Sequence, residues 1–181
     1  MTRQRVRPPM SDDELAELYH GKNWGVFVQE ERDEATVELG KTLDRSEVHS
    51  IADLSCGGAS ITSRIAEYYG VEPILGDFGD AYDYPIRGLL SETVPTIPVV
   101  DLYICTETIE HLNDPDADLR LIRDHCRYLL LTTPVWEEAY LVSIGHLWVW
   151  RSDDVEELLR ASGFEPVKYV GVSLFGLWMC R

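Results

Sequence analysis

Two groups of ionisable residues sit at the ends of apolar runs, where a folded chain can put them to work. Glu107, Glu110 and His111 follow the run Val99 to Cys105, and His146 lies further along in an aromatic stretch. An unperturbed imidazole titrates near neutrality, so His111 is able to take a proton from a nucleophile, with Glu110 orienting it or else capping a helix. The plainer reading makes His111 a polar residue at a loop or helix start. The second group, Asp53 and Asp77, brackets the small-residue loop Ser55-Cys56-Gly57-Gly58-Ala59, and Asp77 follows Gly57 by twenty residues. Small residues let a ligand approach the backbone, and an acid at a neighbouring strand end can accept both hydroxyls of a ribose while Phe78 stacks against its base. Asp77 as a cap of the next loop is the alternative. No His, Asp or Glu spacing forms a recognisable ligand set, so no metal is expected.

Those residues need elements to position them. A β-rich run (Val48, Ile51, Ala52, Leu54) leads into the small-residue loop, and a helix bearing Ile61, Ile65, Ala66 and Tyr69 leads away from it. In an open α/β sheet this order puts the loop at the carboxyl end of a strand, which is where nucleotide-like ligands bind. A glycine turn that merely joins strand to helix is the rival. The dinucleotide fingerprint is not met: counted from Ser55 only Gly57 falls in place, and counted from Gly57 both Ala59 and Thr62 fail. Gly40-Lys41-Thr42 imitates the end of a phosphate-binding loop, but Ala35 stands where a glycine is required, and Gln29 to Glu34, nearly all charged, precede it in place of an apolar strand. Pro98 to Thr106 is a near-continuous apolar run, as expected for a strand buried on both faces. Thr106, Glu107, Glu110 and His111 therefore face the same crevice as the loop if the sheet is parallel.

The grouping resembles a known family. Asp53-Leu54-Ser55-Cys56-Gly57-Gly58-Ala59 looks like the first motif of the class I S-adenosylmethionine-dependent methyltransferases, although Ser55 and Ala59 stand where glycine is usual. Val100 to Leu112 is similar to the family's fourth strand with its E-H-L signature, and Leu129 to Pro134 to its fifth. The resemblance covers about residues 48 to 180 and implies a three-layer Rossmann-like fold, mostly parallel, with one antiparallel strand near the C-terminus. The stretch from Gly79 to Pro98, broken by Pro85, Pro95 and Pro98, has room for one short helix across Ile86 to Thr93, so the region between the second and fourth strands is expected to be shortened. The acid that the family places after its third strand is then absent, or supplied by Asp80 or Asp83.

By the same resemblance the cofactor is S-adenosylmethionine. It assigns Asp53, Ser55, Cys56 and Gly57 to the methionine end, Asp77 and Phe78 to the adenosine, and Thr106 and Glu107 to the strand end beside it. His111, with Glu110 or His146, is the implied base or substrate-positioning group. The reaction would be in-line methyl transfer to O, N, C or S of a small-molecule acceptor. A non-catalytic module that keeps the fold, and a methyltransferase acting on protein or nucleic acid, are the competing readings.

Composition narrows these. The chain has 181 residues, 45% of them hydrophobic, which suits one domain: a tail over 1–10 expected to be mobile, then 11–181, with a helical cap over 11–47 and the core over 48–181, ending without an added domain. Against 32 acids stand 16 Lys and Arg, a net charge of −16, and such a field repels phosphate backbones, so nucleic acid is disfavoured as a partner. The four cysteines are scattered, which suits reduced thiols and a cytoplasmic location, and nothing in the chain suggests a membrane segment. Ser11-Asp12-Asp13-Glu14 reads as a capping box for a helix to about His20. Gln29 to Leu43 reads as another helix, while Trp24, Val26 and Phe27 form an apolar patch that anchors in the core or flaps over a ligand. Residues 135 to 150 carry three tryptophans and suggest a pocket wall, a lid or a protein contact. Phe164 to Val172 and Leu174 to Cys180 read as a closing hairpin.

Overall fold

In the computed structural model, which describes residues 3–21, 29–135 and 145–181, the apolar runs become strands and the amphipathic stretches helices. The strands are β1 (Gln4–Arg5), β2 (Ile51–Asp53), β3 (Ile74–Asp77), β4 (Ile86–Arg87), β5 (Val100–Thr106), β6 (Cys126–Pro134), β7 (Trp148–Val149), β8 (Pro166–Val172) and β9 (Phe175–Cys180). The helices are α1 (Asp12–Tyr19), α2 (Glu30–Gly40), α3 (Ser60–Tyr69), α4 (Leu90–Thr93), α5 (Pro115–Arg123) and α6 (Ser152–Ala161). The patch Trp24, Val26 and Phe27 and the aromatic segment 136–144 lie outside the described residues.

Seven strands pair in the order β4-β3-β2-β5-β6-β9-β8. Strand β9 runs antiparallel to both of its neighbours, and the other pairs are parallel. Side chains alternate across the sheet with period two. Ile51, Leu102, Ile104 and Leu130 pack on one face with Val37 of α2 and Ile65 of α3. Ala52, Tyr103, Cys105 and Leu131 pack on the other with Leu119 of α5 and Leu158 of α6. This makes the expected three layers. Each aliphatic side chain fully buried in them stabilises by about 1.5–3 kcal/mol, which is why the apolar run of β5 lies near the sheet centre.

The shortened region holds a two-residue edge strand followed by a single helical turn. Ile86 and Arg87 pair with Gly76 and Asp77, and Gly88, with φ +137, ends the strand before α4 begins. The helix expected across Ile86 to Thr93 is thus confined to Leu90–Thr93. The C-terminal hairpin forms as expected around Ser173, whose φ is +52. At α1 the capping box is present, with the Glu14 N–H donating to Ser11 Oγ at 3.3 Å and the Ser11 N–H to Glu14 Oε2 at 2.8 Å.

Residues 3–10 are not a loose tail. Strand β1 pairs antiparallel with β7, and the guanidinium groups of Arg3 and Arg5 lie 4.4 and 4.5 Å from the Trp148 ring centroid. Arg3 also pairs with Asp116, and Arg5 donates to the Asn113 carbonyl. Those partners are aromatic faces and carbonyls about a hundred residues away, so no local apolar pattern announces them. Among the described residues all four cysteines are free, and no helix is long and apolar enough to cross a membrane.

Candidate active site

The loop after β2 is held by two carboxylates from below and beside it. Asp53, 1% exposed, accepts from the Ser55 N–H at 3.1 Å and from the Thr62 hydroxyl. Burial pushes its carboxyl up to about 7, opposed by those two hydrogen bonds. Asp77, at the end of β3, accepts from the Gly57 N–H through one oxygen and from the Gly79 N–H through the other, both at 2.7 Å. Its two expected roles are therefore compatible: it caps the local turn and braces the glycine loop, and each oxygen keeps a lone pair for a further donor. Tyr84 adds a hydroxyl donated to the Gly57 carbonyl at 2.8 Å.

The missing glycines have unequal consequences. Gly57 has φ +49 and Ala59 φ +54, whereas Ser55 is not in the left-handed region. Strain of about 1–2 kcal/mol falls on Ala59, at the start of α3, and none on Ser55. The Ser55 hydroxyl instead meets the Thr108 hydroxyl at 2.8 Å, which ties the loop to the segment after β5.

That segment carries the second group. Glu107, with φ +52, accepts from the Thr132 hydroxyl at 2.7 Å and pairs with Arg32 of α2 at 3.1 Å. Burial raises its carboxyl, and the Arg32 charge works against that. A 3-10 turn over Ile109–His111 then sends Glu110 inward, 1% exposed, where its Oε2 accepts from the Thr133 hydroxyl at 3.0 Å. His111 Nδ1 lies 3.0 Å from the Gly145 carbonyl, which makes Nδ1 the N–H donor and leaves the Nε2 lone pair for the cleft. Nε2 is 4.0 Å from Glu110 Oε1, and the His146 ring stands perpendicular to that of His111 with centroids 4.7 Å apart.

This environment corrects the expectation of an ordinary imidazole. Burial, followed by the neighbouring His146, presses His111 down to about 3, against which its hydrogen bond to the Gly145 carbonyl works. What remains is a neutral nitrogen lone pair with low proton affinity. Glu110, His111 and His146, which form no ligand set in the linear spacing, come together in the fold, with one ligand atom of each lying within 4.8 Å of the others.

The two groups face one cleft of about 1270 Å³ at the carboxyl ends of β2, β3 and β5, and Asp53, Ser55, Cys56, Gly57, Asp77, Phe78, Thr106, Glu107, Glu110, His111 and His146 line it. Asp80 and Asp83 do not. Asp80 accepts from the Gly21 N–H at 2.6 Å and pairs with His20, while the Asp83 side chain is fully exposed beside Arg87. Sequence reasoning missed Tyr19, Arg32, Tyr82 and Asp118, which also line the cleft. The Tyr19 ring bridges its two ends, 6.0 Å from Phe78 and 6.1 Å from His111. The capping box announced α1 but gave no sign of where the helix docks. Seven carboxyl-bearing residues and a single arginine line the cleft among the described residues, so its field favours a cationic ligand.

No protein-family model and no curated protein matches the chain. Solved structures do. The 1,6-didemethyltoxoflavin-N1-methyltransferase of Burkholderia thailandensis, with bound 1,6-didemethyltoxoflavin and S-adenosylhomocysteine, superposes with a TM-score of 0.71 at 13% identity over 99% of this chain and 94% of that one. The [4+2]-cyclase SpnF gives a TM-score of 0.71 at 15% identity over 96% and 97%. The mitomycin 7-O-methyltransferase MmcR gives 0.62 at 16% identity over 82% of this chain but 53% of its own, so this chain matches about half of that enzyme. The fold is that of the Rossmann-like methyltransferases.

Proposed function

We propose that this chain binds S-adenosylmethionine in the cleft and transfers its methyl group to a small-molecule acceptor. The observation that carries the reading is Asp77: its carboxylate stands at the end of β3, beside Phe78 and against Gly57 of the loop after β2. Strand β2 is where the sheet order reverses, with β3 on one side and β5 on the other, and ligands of open α/β sheets bind in the crevice at such a point. Neighbours of the same fold crystallised with S-adenosylhomocysteine support the choice of ligand.

When bound, the cofactor supplies an electrophilic methyl group on a sulfonium. The chain has then to hold two reactants in line and keep water out. Asp77 takes the ribose hydroxyls and Phe78 lies against the base. Ser55, Cys56 and Gly57 face the methionine end, with Asp53 fixing their backbone from beneath. Thr106 and Glu107 wall the strand end beside it, and the excess of carboxylates attracts the sulfonium. Glu110, His111 and His146 stand on the acceptor side, and Tyr19 covers both. The net charge of −16 favours a small acceptor over nucleic acid.

Calorimetric titration of the purified chain with S-adenosylmethionine and S-adenosylhomocysteine tests the first half, with one site per chain expected. Absence of heat and of competition for either compound at millimolar concentration would overturn it. Metabolite extracts incubated with labelled methyl donor and read by mass spectrometry for one added methyl test the second. Binding without any methylated product would leave a binding module, or a different reaction on the same fold.

A further inference from the structure

Glu110, His111 and His146 have a relation that methyl transfer by positioning alone does not use. We propose that they hold one divalent transition-metal ion on the acceptor side of the cleft, and that the acceptor is an oxygen nucleophile which binds to that ion. The second half rests on the methyl-transfer reading above, and the first does not.

Two imidazoles and one carboxylate are a recurrent ligand set for Zn²⁺, Fe²⁺ and their neighbours, and three protein ligands leave coordination positions open for a substrate. The spacing is close to what a cation requires. Ligand atoms about 2.1 Å from one ion lie at most about 4.2 Å apart; the Glu110 and His111 atoms are 4.0 Å apart, and all three lie within 4.8 Å. Small side-chain adjustments close the set around an ion.

The surrounding hydrogen bonds have the form that metal ligands need. A ligating histidine usually gives its other ring N–H to an oxygen, which fixes the tautomer and the ring. His111 does this through Nδ1 to the Gly145 carbonyl, leaving Nε2 toward Glu110. Glu110 is oriented by the Thr133 hydroxyl, and Thr133 in turn receives the Trp150 indole N–H at 3.2 Å. The segments that bring the ligands are tied as well: the Leu147 N–H donates to the Glu110 carbonyl at 2.7 Å, and Arg7 donates to the His146 carbonyl at 2.5 Å. The ligands are thus arranged before any ion arrives.

Position gives the ion its use. Thr108, in the same segment as Glu110, touches Ser55 of the glycine loop, so an ion here borders the methionine end of a bound cofactor. A hydroxyl that coordinates a divalent cation loses its proton far more easily than one in water. The proton leaves to solvent, an O–CH₃ bond forms as the S–CH₃ bond breaks, and the electron pair of that bond stays on sulfur as a neutral thioether. Charge balances, since the sulfonium and the neutral hydroxyl yield a neutral ether, a neutral thioether and one proton.

The test uses the full chain, freed of metal with chelator, and Co²⁺ as the probe. One Co²⁺ per chain with visible ligand-field absorption is expected, lost in His111→Ala and in His146→Ala and weakened about 10- to 100-fold in Thr133→Val, the range for removing an outer hydrogen bond. Mn²⁺ in substoichiometric amount should broaden the imidazole signals of His111 and His146 ahead of those of His20, His49 and His125, a readout that requires no variant. Wild-type protein without one-to-one binding, binding that survives all three substitutions, or broadening that spares His111 and His146 would overturn the site. Titration of the metal-free protein with S-adenosylmethionine separates the two readings. Cofactor binding without Co²⁺ binding sinks the metal alone, and Co²⁺ binding without cofactor binding sinks methyl transfer while the site stands.

Discussion

Asp53→Asn should flatten the dependence of stability on pH. The Asp53 carboxyl is 1% exposed, and burial lifts it from an ordinary 3.8 to about 7 in the folded chain. A group whose folded value lies above its unfolded value holds its proton more tightly when folded. Its contribution to stability is therefore fully present below the unfolded value and is lost as pH rises through the folded one. Over the whole range the loss approaches about 4 kcal/mol, and between about pH 5.5 and pH 8.5 it amounts to about 2 kcal/mol. Asparagine keeps an oxygen for the Ser55 N–H and offers its amide to the Thr62 hydroxyl, so the loop geometry survives the change. Urea unfolding of both proteins without ligand, at the two pH values, gives the comparison. Asp118, pushed up to about 6 by its own burial, titrates in both proteins and cancels in the difference. Equal loss of stability on going to alkaline pH in wild type and variant would refute the assignment of a buried proton to Asp53.

Asp77→Ala should weaken S-adenosylmethionine binding by about 1 to 3 kcal/mol, the loss expected for hydrogen bonds to a charged acceptor; calorimetry that finds unchanged affinity reduces Asp77 to a loop brace. Because the same substitution releases the Gly57 and Gly79 N–H groups, its melting temperature should fall as well. Arg32→Met leaves Glu107 without the cation 3.1 Å away, between side chains only 12% and 24% exposed, and should cost about 1.5–3 kcal/mol in urea unfolding. Gly76→Ala would set a Cβ 2.9 Å from the Ile86 carbonyl oxygen and 3.0 Å from Leu54 Cδ2, so β4 must shift at a cost of about 1–3 kcal/mol, seen as a lower urea midpoint with an unchanged slope.

The central part of the fold was legible because its signals are local. The loop after β2 declares itself by small residues between an apolar strand and an amphipathic helix, and β5 by an apolar run with few polar interruptions. Registers that depend on tertiary partners were hidden. Ile86 and Arg87 look like the start of a helix, and only pairing with Gly76 and Asp77 makes them a strand. Arg3 and Arg5 look like a charged tail, and only the Trp148 face and distant carbonyls give them a place. Residue types report what a segment can do alone, and these segments have structure only through their neighbours.

The site divides along the same line. The side of the cleft built by the glycine loop was legible because strand, loop and acid lie within one stretch of chain, ending at Asp77. On its other side Glu110, His111 and His146 were singled out from the sequence, but their meeting in space was not readable there, since His146 arrives thirty-five residues after His111. Two features bring them together. Gly145, with φ +95, passes so close that a Cβ would lie 3.2 Å from His111 Nδ1, which is the approach that lets its carbonyl fix the imidazole tautomer. The β1–β7 ribbon then holds the following residues in place, with Arg7 on the His146 carbonyl. The N-terminal arginines thus support the geometry of a site whose other members lie more than a hundred residues away. Loosening that ribbon should therefore disturb His146 before the glycine loop, so the proposed acceptor chemistry should be lost ahead of the proposed cofactor binding.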